Sequence, residues 1–187
     1  MNKLTERLVL GGVALLVGLL LGWMVRGLLT YNPGLETVAT YQDWRTACPP
    51  SSDAKARCQM VQQVLDSKSQ SQVASVAISE DGGKQVMGLT LPYDVELEPG
   101  VGLVVGTDPV KVFPYRTCNQ VGCVAVITLD DKLLKSLDTA KNARILVAGL
   151  DGKPVAIPLS LDGYADAVKA YHSDEAKRAS WFWRLWS

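Results

Sequence analysis

A chain of 187 residues with 48% hydrophobic content has material for one folded domain plus accessories, and its composition is not that of a disordered protein. Its 19 basic residues are matched by 19 acidic ones, so it lacks the cationic excess on which nucleic-acid binding draws. One histidine, His172, and four cysteines narrow the available chemistry further.

The apolar residues are concentrated first in Leu8 to Val25, a run without a charge. At about 1.5 Å per residue a helix over this run covers roughly 27 Å, and Gly27, Leu28 and Leu29 beyond a snorkelling Arg26 extend it to residues 8–29. That predicts a transmembrane helix. Lys3 and Arg7 in front of it also fit the basic region of a secretory signal. However, the run is longer than the usual ~7–15-residue signal core. The nearest small-residue cleavage candidate, Thr37 to Ala39, lies well past it, and no cysteine follows closely to carry a lipid. An uncleaved anchor is therefore expected. Residues 1–7 form the short basic side that stays in the cytoplasm, which places the rest of the chain outside, where disulfides survive. Ala14, Gly18 and Gly22 recur every fourth residue on one helix face, a pattern that lets a second helix approach closely and permits a homodimer, although glycine is common in membrane helices generally.

Residues 30–37 contain Asn32-Pro33-Gly34, which ends a helix and marks a linker. Residues 38–172 then read as short β-rich runs bounded by Gly, Pro, Asp or Asn, which predicts a mainly β domain, either a sandwich or a partly open barrel. Two short helices interrupt it. Leu129, Leu133, Leu134 and Leu137 have helical spacing behind Asp130, a candidate cap, and Tyr164, Val168 and Tyr171 repeat the pattern later. Between them Asp151-Gly152 separates two apolar runs, as a hairpin turn does. Residues 173–187 end in "SWFWRLWS", an aromatic tail.

The cysteines are spaced for neither a zinc knuckle nor a thioredoxin-like C-x-x-C pair, and His172 is distant from all of them in sequence. Four cysteines allow three pairings. Cys48 with Cys58 and Cys118 with Cys123 are favoured, because each pair closes a turn between neighbouring strands. Loop entropy assigns about 2 kcal/mol to the shorter ring and about 3 to the longer.

No catalytic constellation stands out. His172 sits at a helix end beside Asp174 and Glu175, where a solvated histidine is the simpler reading, and Asp130-Asp131 is accounted for by capping. Asp94, Glu96 and Glu98 alternate along an extended stretch as a solvated acidic face would, and the glycines of Gly100 to Gly106 suit turns rather than phosphates. No cofactor and no metal is expected, and the chain is read as a non-enzyme.

Trp44 with Cys48, the Arg57 to Met60 stretch "RCQM" with Gln62, "LTLP" at Leu89 to Pro92 and "LEPGV" at Leu97 to Val101 form a pattern with "PYRTCNQVGC" at Pro114 to Cys123. It continues through Leu129-Asp130, "DGKPV" at Asp151 to Val155 and "PLSLDGY" at Pro158 to Tyr164. The pattern resembles the invasion-associated locus B family of bacterial envelope proteins, over about residues 40–171. The resemblance implies a secreted or periplasm-facing β domain stapled by disulfides, with no established enzymatic chemistry. Founding members of that family are associated with bacterial entry into host cells.

Two departures from the family pattern, the retained anchor and the aromatic tail, point toward work at the bacterial inner membrane. The expectation is a single-pass protein, N-terminus cytoplasmic and C-terminal domain periplasmic, that serves as an accessory or interaction protein for another envelope protein or membrane complex. Trp181, Phe182, Trp183, Arg184 and Trp186 would dock on the membrane surface or on a membrane partner. The alternatives are a secreted virulence-type factor and a periplasmic small-ligand carrier.

Overall fold

The computed structural model describes residues 3–30, 36–49, 57–66 and 68–179. It opens with α1 (Lys3–Thr30), whose Val9–Arg26 window has mean hydropathy 2.0 and no buried residue. From Val9 to Val25 its residues are apolar around the whole circumference, so this stretch has no polar face to turn to water. It is long and apolar enough to cross a bilayer, as a membrane anchor or a signal sequence would.

The remainder is a β-sandwich with two helices, as the run pattern predicts. A seven-stranded antiparallel sheet has the order β1 (Thr37–Tyr41), β2 (Trp44–Cys48), β3 (Gln59–Leu65), β4 (Gln72–Asp81), β5 (Lys84–Leu91), β9 (Gly122–Thr128) and β8 (Tyr115–Asn119). A four-stranded sheet has the order β11 (Pro154–Ser160), β10 (Asn142–Ala148), β6 (Val101–Val105) and β7 (Lys111–Phe113). Alternate residues of the larger sheet point inward: Met60, Gln62 and Val64 of β3, Ala74, Val76 and Ile78 of β4, Met87, Leu89 and Leu91 of β5, and Ala125 and Ile127 of β9. They meet Val101, Leu103 and Val105 of β6, Ile145 and Val147 of β10, and Ile157 and Leu159 of β11 in one core.

α2 (Asp131–Thr139) starts at the expected cap, where an Asp130 side-chain oxygen accepts from the Leu133 N–H at 2.7 Å. That bond is the main reason the Asp130 carboxyl is held below its ordinary range, with Lys111 Nζ at 3.4 Å adding to it. Leu133 and Leu137 face the core. α3 (Tyr164–Ala179) packs on β2 and touches β1 and β3, and it runs on past residue 172. Gly163 precedes it with φ +81, and a Cβ there would run into the Tyr41 carbonyl, so only glycine lets the chain pass so close to β1.

The sequence shows "VATYQDWRTAC" as one run, yet it folds into two paired strands, with Tyr41 opposite Trp44 and Gln42 at φ 52 in the turn. A glutamine carries no left-handed preference, so the turn leaves no compositional trace. "VKVFPYRTC" also divides, at Pro114, where the chain passes from β7 in one sheet to β8 in the other.

The β11 edge is built in a particular way. The Ser160 carbonyl accepts from Trp44 Nε1 at 3.0 Å and Gln62 Nε2 at 3.1 Å, so it points away from β10. Backbone groups alternate along a strand, so Pro154, Ala156 and Pro158 face outward with it, and the two prolines have no N–H to offer there.

Candidate functional site

Strand direction gives the larger sheet two distinct ends. At one, β1 begins at Thr37 opposite Cys48, β3 begins at Gln59, and β4 turns into β5 through Gly82 and Gly83. At the other lie the end of β3, the start of β4, the end of β5 and the β8–β9 hairpin. Each end carries one disulfide. Cys48–Cys58 bonds at 2.02 Å and Cys118–Cys123 at 2.07 Å, the pairing expected from spacing.

At the Cys48 end, the backbone N–H of Cys58 donates to Oε1 of Glu175 at 2.5 Å, and Arg57 Nη1 stands 3.6 Å from the other Glu175 oxygen. The last turns of α3 are thereby tied to the disulfide. Tyr171 lies beneath, buried, with its ring edge-on to His172 at a centroid distance of 5.3 Å. Burial pushes its phenol up to about 12, with Glu175 and Glu80 opposing the phenolate as well. His172 is exposed, as expected, and sits 3.4 Å from the Gln85 amide, but it lies within α3 and not at its end, because the helix continues to Ala179.

The Cys118 end is different in character. Cys118 is exposed and Cys123 buried, so the bond fastens an exposed edge strand to the interior. Gly122, with φ +143, lies so close to the Leu91 carbonyl that a Cβ would collide with it. The Tyr93 hydroxyl donates to the Asn119 carbonyl, and the Asn119 side chain accepts from the Val121 N–H at 2.9 Å. Both contacts fix the hairpin, yet Val121 is 78% exposed and Tyr93 56%.

Along the flank where β3 meets β10 and β11, an open groove of about 750 Å³ is bordered by Asp43, Gln62, Lys141, Arg144 and Asp162. It carries two acidic and two basic side chains. Gln62 is buried, with its Nε2 spent on Ser160 and its Oε1 without a hydrogen bond. Trp44 packs edge-on against Tyr164 beside it, with ring centroids 5.3 Å apart. Burial, with Asp138 opposing the phenolate in addition, raises the Tyr164 phenol well above its ordinary value.

Among the described residues no group of three or more His, Cys, Asp or Glu side chains converges to hold a metal ion. Asp94, Glu96 and Glu98 lie in a loop around the isolated Val95–Gly149 bridge, not on a strand face. Ala14, Gly18 and Gly22 are exposed along α1, with open space beside both glycines. Trp181, Phe182, Trp183, Arg184 and Trp186 lie outside the described residues. Sequence reading missed Glu175 as the partner of Cys58, Tyr93 as the brace of the hairpin, and Ser160 as the carbonyl shared by Trp44 and Gln62; backbone acceptors leave no signal in side-chain identity.

Comparison with known proteins gives a consistent result. The family model described as "Invasion associated locus B (IalB) protein" matches residues 44–172. An invasion protein B homolog of Brucella abortus is 28% identical over 131 residues, covering 69% of this chain and 75% of that protein. Invasion protein B of Bartonella bacilliformis is 29% identical over 143 residues, covering 74% and 76%. The crystal structure of invasion associated protein b from Bartonella henselae superposes with a TM-score of 0.65 at 21% identity, covering 75% of this chain and 99% of that one, which shows the shared fold.

Proposed function

The chain belongs to the invasion associated locus B (IalB) family, and from that premise we propose that it is a membrane-anchored, non-catalytic accessory protein whose periplasmic domain binds another envelope protein. One observation carries this reading: the tether and the most exposed large apolar side chain of the sandwich, Val121, occupy opposite ends of the sheet. Thr37, where the chain enters the sandwich, is at the Cys48 end, and Val121 and Tyr93 are at the Cys118 end. The larger sheet separates them by about 23 Å, the length of an eight-residue strand such as β5. A disulfide behind an exposed apolar tip lowers the ordering cost of binding through it. The small-residue face of α1 offers a second place for association, with another span or another copy.

The test is capture from intact cells. A photo-crosslinking residue at Val121 in the full chain should trap an envelope protein that the same probe at Lys153, on the β10–β11 turn, does not. Equal capture from both positions would dismiss the hairpin as the contact. The names of the Brucella and Bartonella relatives support a second reading, a secreted factor in host-cell entry, with α1 serving as its signal. Sequencing the mature N-terminus separates the two: Met1 or Asn2 supports the anchor, and a start beyond Thr30 supports secretion.

A further inference from the structure

The anchor reading leaves open which part of the sandwich meets the bilayer. We propose that the Cys48–Cys58 end lies against the lipid surface, held there twice: by the chain arriving from α1, and by the aromatic tail leaving α3. This rests on the anchor reading and adds an orientation to it.

Thr37 pairs with Cys48 at the start of β1, and seven peptide steps separate it from Thr30, so it stays within about 25 Å of the end of α1 at ~3.3–3.6 Å per step. α3 runs antiparallel to this entry. Its first residue Tyr164 packs on Trp44 at the far end of β2, while Glu175 accepts from Cys58 and His172 meets Gln85 at the near end. Ala179 is four residues past Glu175, about 6 Å farther along the helix axis. The tail thus departs from the same end that the linker enters. With linker and tail at one end, both attachments turn the same end of the sandwich toward the bilayer.

The chemistry of the tail then selects the occupant. Trp181, Phe182, Trp183 and Trp186 with Leu185 are too few to span a bilayer, but their rings suit the headgroup region. At this end Arg57 pairs with Glu175 and Lys84 stands opposite Asp81 in the β4–β5 pairing, while Lys177, Arg178 and Arg184 follow in sequence toward and within the tail. The rings partition into the headgroup region whatever its charge, so adhesion through them does not require anionic lipid, and the cations can only add to it.

The experiment uses the full chain reconstituted into phosphatidylcholine liposomes doped with headgroup-nitroxide lipid, carrying one fluorescent amino acid at Lys84 or at Ser69, which sits at the opposite end of the sheet. Quenching at Lys84 should exceed that at Ser69 several-fold, persist when phosphatidylglycerol replaces half the lipid, and fall toward the Ser69 level when residues 180–187 are removed. The Tm should stay within about 2 °C on that truncation. Trp181→Ser with Trp183→Ser should reproduce the loss. Equal quenching at the two positions, or quenching at Lys84 that is indifferent to the tail, would overturn the proposal while leaving the anchor intact. A Tm lowered by truncation, whatever the quenching, would assign the tail to the core and overturn it also. Release of the chain from liposomes by alkaline carbonate would overturn the anchor reading itself, and this orientation with it.

Discussion

The Cys58 N–H and the Glu175 carboxylate are joined by a 2.5 Å hydrogen bond across 117 positions of sequence, so the last helix is fastened to the first disulfide. The ring that closes β2 onto β3 and the helix that covers them thus form a single unit. Removing Glu175 leaves a half-buried N–H without an acceptor. Glu175→Ala should cost about 1.5–3 kcal/mol in urea unfolding. Glu175→Gln should recover part of that, and Arg57→Ala should cost under about 1 kcal/mol, because the Arg57 side chain is more than half exposed and stands 3.6 Å from the carboxylate.

The Ser160 carbonyl gives a test of non-additivity. It accepts from both Trp44 and Gln62, so either donor alone keeps it satisfied. Trp44→Phe should cost about 2–4 kcal/mol, mostly from the cavity left in the core. Gln62→Met should cost less than about 1.5 kcal/mol, since it also removes an unpaired Oε1. The double variant should exceed the sum by about 1 kcal/mol, read from a double-mutant cycle in denaturant, because only then is the carbonyl orphaned.

The disulfides should be unequal. Loop entropy gives about 2 kcal/mol for Cys118–Cys123, separated by 5 positions, and about 3 for Cys48–Cys58, separated by 10. The second pair is also buried at both sulfurs, so its replacement by alanines opens a void and should cost a further 1 kcal/mol or so. Differential scanning calorimetry of the two paired Cys→Ala variants should therefore rank Cys48–Cys58 as the greater loss. The reverse ranking would show that the hairpin staple is the mainstay.

Alkali should find Tyr171. Its phenol titrates near 10 when unfolded and near 12 when folded, so the unfolded state loses its proton first. Stability is then fully present below pH 10 and drains away as pH rises from about 10 toward 12. Tyr171→Phe should flatten the alkaline limb of a Tm-versus-pH curve. It should leave neutral-pH stability equal or higher, because the buried hydroxyl has no hydrogen bond of normal geometry to lose.

What the residues disclose in advance divides along physical lines. The α2 cap at Asp130, the turn at Asp151-Gly152 and both cysteine pairings are legible because each depends on local chain chemistry. The β1–β2 turn is not, since Gln42 adopts a positive φ without the residue type that usually announces it. The ends of the sheet are invisible as well. That Cys58 and Glu175 share an end follows only from the direction in which each strand runs, and no periodicity records direction. Likewise the shared carbonyl of Ser160 belongs to the backbone, which looks the same at every position.

The outward-facing prolines of β11 have a consequence for crowding. Copies of a chain confined to a surface collide far more often, and in fewer orientations, than copies in solution, so any strand edge able to zip onto a neighbour would be tried repeatedly. Pro154 and Pro158 offer no N–H on the exposed side, and the Ser160 carbonyl is already occupied by Trp44 and Gln62. Ala156 alone retains an outward donor between them. Donors this sparse make a poor template for pairing, so in an anchored layer, as proposed above, this edge resists zipping onto a neighbour.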